Sequence, residues 1–332
     1  MPVGETIAKA VGLAKEIKPI NVKPTPRDNH PYKTIEVNSV SLAYRETGPS
    51  DGEPIILMHG HMGDLRGYIE LQDVLSRNGY HVFNYSRRYA WPNEPIKDSE
   101  RDDWVAHAKD MEAFIEAMNL GRPVHLIGHS SGAYISLLCA RARPDLVATL
   151  NLEEAPTVPM FFPNGLPPSL FDVLLFLLWY PFAFVPIMYY YFFIISRVIT
   201  FAQSDQHDDA VEVFAFSIIG GVFYGELAKE RRKQIQDNNT WIASFFQHDA
   251  VPPKFTEQDA KAIGERIPTL CMIGEHTQDM GACQATKRLA RIMPGAKLVW
   301  IKNASHLVHE NQPKQVANEI MAWIENKGKK TN

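Results

Sequence analysis

Two alternating runs, Thr34-Ile35-Glu36-Val37 and Val40-Ser41-Leu42-Ala43-Tyr44, flank Asn38-Ser39 and predict an antiparallel hairpin. Short β-rich apolar runs follow at Pro54 to His59, His81 to Tyr85, Val124 to Gly128, Val147 to Leu152, Thr269 to Ile273 and Lys297 to Ile301. Helical periodicity separates them near 65–77, 102–119, 131–142, 280–293 and 313–327. Such alternation predicts an α/β fold, a mostly parallel, doubly wound sheet with helices on both faces.

The alternation breaks once. No clear core strand lies between Leu152 and Thr269. That stretch holds a proline-rich segment, Ala155–Pro168, an apolar block from Leu170 to Phe201, and helical patterns near 207–219 and 226–246. It reads as an inserted helical cap. The predicted organisation is an N-terminal arm at 1–31, a core at 32–154 and 267–332, and a cap at 155–266. Within the arm, residues 5–18 carry a short amphipathic pattern, and Lys18 to Pro31 is proline-punctuated and extended.

Val173 to Ile195 contains no charge, which is long enough to cross a bilayer. The strands before and after it must join one sheet, so a single crossing would separate them. The expectation is a pair of buried cap helices above the site, with Trp179, Phe182, Phe184, Tyr189 and Phe192 lining its roof. The alternative is a cap that dips into a membrane interface. An aromatic-rich cap suits a large hydrophobic small molecule as substrate, and the same surface would serve a homodimer.

Composition adds limits. The 332 residues are 45% apolar and 22% charged, ordinary for a globular chain. A net charge of −4 leaves no electrostatic footprint for nucleic acid, and the basic tail Lys327 to Lys330 reads as a solvated end. Cys139, Cys271 and Cys283 form neither a disulfide framework nor a metal-ligand spacing. Cys139 and Cys271 sit in apolar runs as small core residues. Met1 to Lys15 lacks the apolar run of a secretory signal. A cytoplasmic protein, peripheral to a membrane if the cap dips into one, is the expectation.

The chemistry concentrates at three places. Strand Val124–Ile127 runs into Gly128-His129-Ser130-Ser131-Gly132 and then a helical pattern, which is G-x-S-x-G in a strand–turn–helix context. That turn lifts the Ser130 hydroxyl above the sheet and sets the Ser131 N–H at a helix N-terminus, where an oxyanion is stabilised. Upstream, an apolar strand ends in His59-Gly60-His61, a loop that can supply a second oxyanion N–H from His61. His59 and His61 find no third ligand of suitable spacing, so no metal is expected, and nothing implies a cofactor. Downstream, His306 follows the late strand Leu298–Ile301 and can reach a nucleophile above the same sheet edge; His309 is its competitor.

These segments together resemble the α/β-hydrolase superfamily: LMHGH at 57–61, GHSSG at 128–132, PTLCMIGE at 268–275 and NASHLVHENQP at 303–313. The resemblance covers Tyr32 to the C-terminus without the cap, and it extends to members carrying a SRRY-x-x-PN segment, here Ser86 to Asn93. It implies a catalytic triad in the order Ser…acid…His. The acid departs from the commonest pattern, because Thr277 stands about where family members carry Asp. By a gapless count from Ser130, Glu154 falls where haloalkane-dehalogenase-like members place a glutamate, and it is the leading candidate. Asp279 and Glu153 are the alternatives, and strand alternation allows only one of Glu153 and Glu154 to face the site.

The implied activity is that of a serine hydrolase. Ser130 would attack an ester, lactone or thioester of a bulky hydrophobic molecule and form an acyl-enzyme, with His306 as base. Carbon–carbon hydrolysis or a lyase reaction on the same scaffold is the runner-up, followed by a non-catalytic binder of hydrophobic ligands. Serine at the elbow argues against the dehalogenase and epoxide-hydrolase branches, which carry Asp there.

Overall fold

The structure, a computed structural model, describes residues 30–328 apart from 98, 163, 249–250 and 278–280. Most of the expected arm therefore lies outside the described residues, as does Asp279. The hairpin forms β1 (Lys33–Val37) and β2 (Val40–Thr47). The apolar runs become β3 (Pro54–Met58), β4 (His81–Tyr85), β5 (Val124–His129), β6 (Val147–Glu153), β7 (Thr269–Gly274) and β8 (Lys297–Ile301).

The eight strands form one sheet in the order β1-β2-β4-β3-β5-β6-β7-β8. β2 pairs antiparallel with β1 and β4, and all other pairs are parallel. Both faces of the central strands are buried, which is why β3 reads as unbroken PIILM. Ile56 and Met58 join the core on one face with Phe83, Leu126 and Phe114. Ile55 and Leu57 join the other with Val82, Ile127, Leu71 and Ile320.

Covering helices are α1 (Ile69–Arg77), α2 (Trp104–Met118) and α3 (Ser131–Ala142). The insertion supplies α4 (Leu170–Trp179), α5 (Pro181–Tyr190), α6 (Ser196–Gln203), α7 (His207–Ile219), α8 (Gly221–Glu226), α9 (Lys229–Gln236) and α10 (Asn239–Gln247). The chain then returns through α11 (Glu257–Gly264), α12 (Gly281–Ile292), α13 (Val308–Asn311) and α14 (Pro313–Gly328).

The structure departs from the expected organisation in two places. α11 was expected in the cap, yet Phe255, Ala260, Ile263 and Ile267 are buried in the same cluster as Leu289 of α12 and Met293 just after it. The apolar stripe of α11 thus finds its partner on the sheet side. The second departure is the apolar block. Phe176, Ala183 and Ile187 pack against Phe161, Phe162 and Ala285, but Trp179, Phe182, Tyr189 and Phe192 are exposed. α4 lays Phe176 on Phe161 and Phe162, and α5 lays one face on α12, so a buried helix pair does not form. All three cysteines are free and buried, and burial raises the Cys271 thiol to about 12.

Candidate active site

Ser130 sits between β5 and α3 with φ 51 and ψ −124, a sparsely populated conformation for a residue with a side chain. Its neighbours must be glycine. A Cβ on Gly132 would lie 2.3 Å from the Met58 carbonyl oxygen, and one on Gly128 would lie 2.6 Å from the Ala133 Cα. The Ser130 N–H donates to the Glu153 carbonyl at 2.8 Å, tying the turn to the end of β6. The Ser131 N–H, at the first position of α3, has no acceptor within the helix.

His306 is buried on the loop after β8, and its Nδ1–H donates to Glu154 Oε2 at 2.5 Å. The tautomer that makes this bond leaves Nε2 as an acceptor, and Nε2 has no hydrogen-bond partner among the described residues. Glu154 is itself held from the other side. Its Oε1 accepts the Gly274 N–H at 2.9 Å and the Thr277 hydroxyl. Ser130 and His306 line one cleft, and Glu154 is bonded to His306 behind it, so the structure brings together the sequence-chosen serine, histidine and Glu154.

The expectation that only one of two adjacent glutamates turns inward is corrected. Glu153 is the last residue of β6, and Glu154 takes φ 51, so strand alternation stops between them. Both carboxylates are fully buried. Glu153 Oε2 accepts the His309 Nδ1–H at 2.6 Å, and the His309 ring stacks on Tyr68 with centroids 3.9 Å apart. Thus His309 is neither base nor bystander: it forms a second buried histidine–carboxylate pair beside the first. His129 lies between them, its ring 4.6 Å from His306 and 4.9 Å from His309, and it donates to the His306 carbonyl. Burial first, then those two neighbours, hold the His129 pKa well below its usual value.

The loop after β3 faces the serine. His59 uses both ring nitrogens on backbone, Nδ1–H to the Gly60 carbonyl at 2.8 Å and Nε2 from the Arg87 N–H at 2.9 Å. No nitrogen is left for a metal. The His61 ring lies between Trp104, Trp241 and Phe245, with Nε2 3.6 Å from Asp102. Burial lowers its pKa to about 4 against the pull of Asp102, so the ring is a neutral wedge that fixes the loop.

Sequence reading missed the walls of the cleft. They come from Phe214 and Ile218 of α7, Arg231 of α9, Leu307 and Glu310, with no residue from α4 or α5. Arg231 and Glu310 form a buried bidentate pair at 2.8 and 2.9 Å. An amphipathic reading of α7 was the available signal, but it does not say which face meets the serine.

A family model described as the alpha/beta hydrolase fold matches residues 53–313. The chain belongs to the α/β-hydrolase fold family. Lipase 3 of Moraxella sp. (strain TA144) is 23% identical over 297 residues, 87% of this chain and 84% of that one. The non-heme chloroperoxidase of Streptomyces lividans is 30% identical over 141 residues, 41% of this chain, so the match spans half of that relative's length. A solved thermophilic esterase from Thermogutta terrifontis superposes with TM-score 0.64 at 18% identity, covering 90% of this chain and 99% of that one, a likeness of fold.

Within this α/β-hydrolase fold, Thr277, at the place where many members carry Asp, donates its hydroxyl to Glu154. The SRRY segment is structural. Ser86 accepts the Leu65 N–H and donates to the Trp91 carbonyl, and Asn93 bridges β2 to the Ser86 and Arg87 carbonyls. Arg88 makes a bidentate pair with Asp110. The Arg87 guanidinium is buried over Trp241, 4.6 Å from the ring, and burial lowers its pKa to about 10. Neither arginine lines the cleft.

Proposed function

We propose that this protein is a serine hydrolase acting on an ester, lactone or thioester of a hydrophobic small molecule. The observation that carries the reading is His306, held by Glu154 through Nδ1 and presenting an unpartnered, buried Nε2 in the cleft that Ser130 shares. Nε2 takes the Ser130 proton as Oγ attacks the carbonyl carbon. Glu154 keeps the tautomer and stabilises the imidazolium. The backbone N–H groups of His61 and Ser131 receive the oxyanion. Collapse of the tetrahedral intermediate expels the alcohol or thiol, which takes the proton from His306 and leaves Ser130 acylated. Water, deprotonated by the same imidazole, then releases the acid and restores Ser130.

The class of substrate follows from the walls. Met62, Phe214, Ile218 and Leu307 are apolar, while the polar lining groups His309 and Glu310 are already paired. An acyl or alcohol portion of modest size and low polarity suits such a cleft. The lipase and esterase names of the similar proteins accord with ester chemistry.

The test is covalent labelling. A fluorophosphonate should modify the purified protein at the peptide containing Ser130, and Ser130→Ala should abolish the label with an unchanged melting temperature. A label that persists on the variant, or that maps to another serine, refutes the assignment.

A further inference from the structure

We propose that the apolar face formed by α4 and α5 docks this protein on the surface of a lipid bilayer. From residue 173 to 196 the chain has no Asp, Glu, Lys or Arg, and half of the large side chains there are exposed. Leu178 is 73% exposed, Trp179 70% and Phe182 89%. Phe171, Val185 and Phe192 extend the same surface. An apolar patch of this extent on a soluble protein marks something that covers it.

The chemistry selects the occupant. Leu178, Trp179 and Phe182 stand mostly exposed around the Trp179–Pro181 corner, and a second copy would need matching pockets to receive them. Acyl chains flow around such side chains without a preformed complement. A protein interface also brings a hydrogen bond for roughly every 100–200 Å², whereas the polar groups this stretch displays are tyrosine hydroxyls, at Tyr189 and Tyr191, beside the indole of Trp179. Those rings belong at the level of lipid headgroups.

The segment lies on the membrane and does not cross it. The continuous helix Pro181–Gln203 is long and apolar enough to span, but its second half belongs to the fold, with Val198 and Ala202 fully buried against α7 and α10. β6 and β7, on either side of the insertion, are hydrogen-bonded neighbours. Only the first half is available to lipid, which is the geometry of an interfacial helix. Tyr190, Ile194 and Ile195 pack in the same cluster as Phe214, a wall of the cleft. The docked face is thereby joined to the site by continuous apolar packing.

The test is flotation of the full chain with phosphatidylcholine vesicles in high salt, where electrostatic adsorption is screened. Wild type should float, and so should Ser130→Ala, which keeps this readout separate from the reaction. Leu178→Asp/Phe182→Asp should bind about a hundredfold more weakly and keep wild-type turnover of a short soluble ester, because neither side chain supports the core. Bromines placed in the acyl chains should quench part of the wild-type tryptophan emission, and Trp179→Phe should remove that part. Wild type that stays at the bottom of the gradient overturns the proposal. A double variant that floats like wild type places the contact elsewhere and also overturns it. A dimer that the double variant dissolves, with no flotation, assigns the face to a second copy instead.

Discussion

Replacing Glu154 by Gln tests the acid of the proposed triad. The side chain receives three donors: His306 Nδ1–H on Oε2, and the Gly274 N–H and Thr277 hydroxyl on Oε1. A glutamine keeps one acceptor oxygen and turns the other end into a donor. If the NH2 faced Gly274, it would meet a backbone N–H that cannot move. If it faces His306, the imidazole can shift its proton from Nδ1 to Nε2 and accept the new bond. The second arrangement is cheaper, and it puts a proton on the nitrogen that, in the proposed reaction, takes one from Ser130. A buried triad histidine in the wrong tautomer loses on the order of ten-thousandfold in kcat, about 5.5 kcal/mol of transition-state stabilisation. KM should change by no more than a few-fold, since substrate binding does not use this proton. Steady-state hydrolysis of a p-nitrophenyl ester, run beside thermal melting, measures both. Glu153→Gln should alter stability through His309 and leave kcat within about a hundredfold. A kcat for Glu154→Gln within tenfold of wild type refutes the reasoning, as does an equal loss in Asp279→Asn, which would put the working acid there.

Two further outcomes concern stability. Burial lowers His61 to about 4 and pushes His59 and His129 well below their usual value. Between pH 6.5 and 4 the unfolded chain therefore binds protons that the folded protein excludes, and stability must fall as pH falls. His61 alone removes about 3 kcal/mol across that window, so urea midpoints that stay level from pH 7 to pH 4.5 would contradict the assigned environments. Glu310→Gln leaves the Arg231 guanidinium, which is held charged against burial by Glu310, without its bidentate partner. A loss of about 3–5 kcal/mol in chemical denaturation is expected, and a loss under 1 kcal/mol would show that water reaches the pair.

Much of this protein was written locally. Strand and helix periods, the strained elbow and its two glycines are dictated within a few neighbouring residues, because a two-residue or 3.6-residue repeat and a positive φ are properties of short segments. For the same reason Ser130 and His306 were legible: each stands at a sheet edge whose position the alternating pattern sets. What was not legible depends on contacts between distant segments. Glu154 and Glu153 both turn inward because β6 ends between them and each meets a histidine more than 150 residues away. α11 joins the core because its partner α12 lies across β7. The apolarity of α4 and α5 was plain in the sequence, but whether those faces lie under protein or face outward depends on how many neighbours the fold can bring to them. Composition records that a surface avoids water; only the packing shows that Phe161, Phe162 and α12 cover one side of it and leave much of the rest bare.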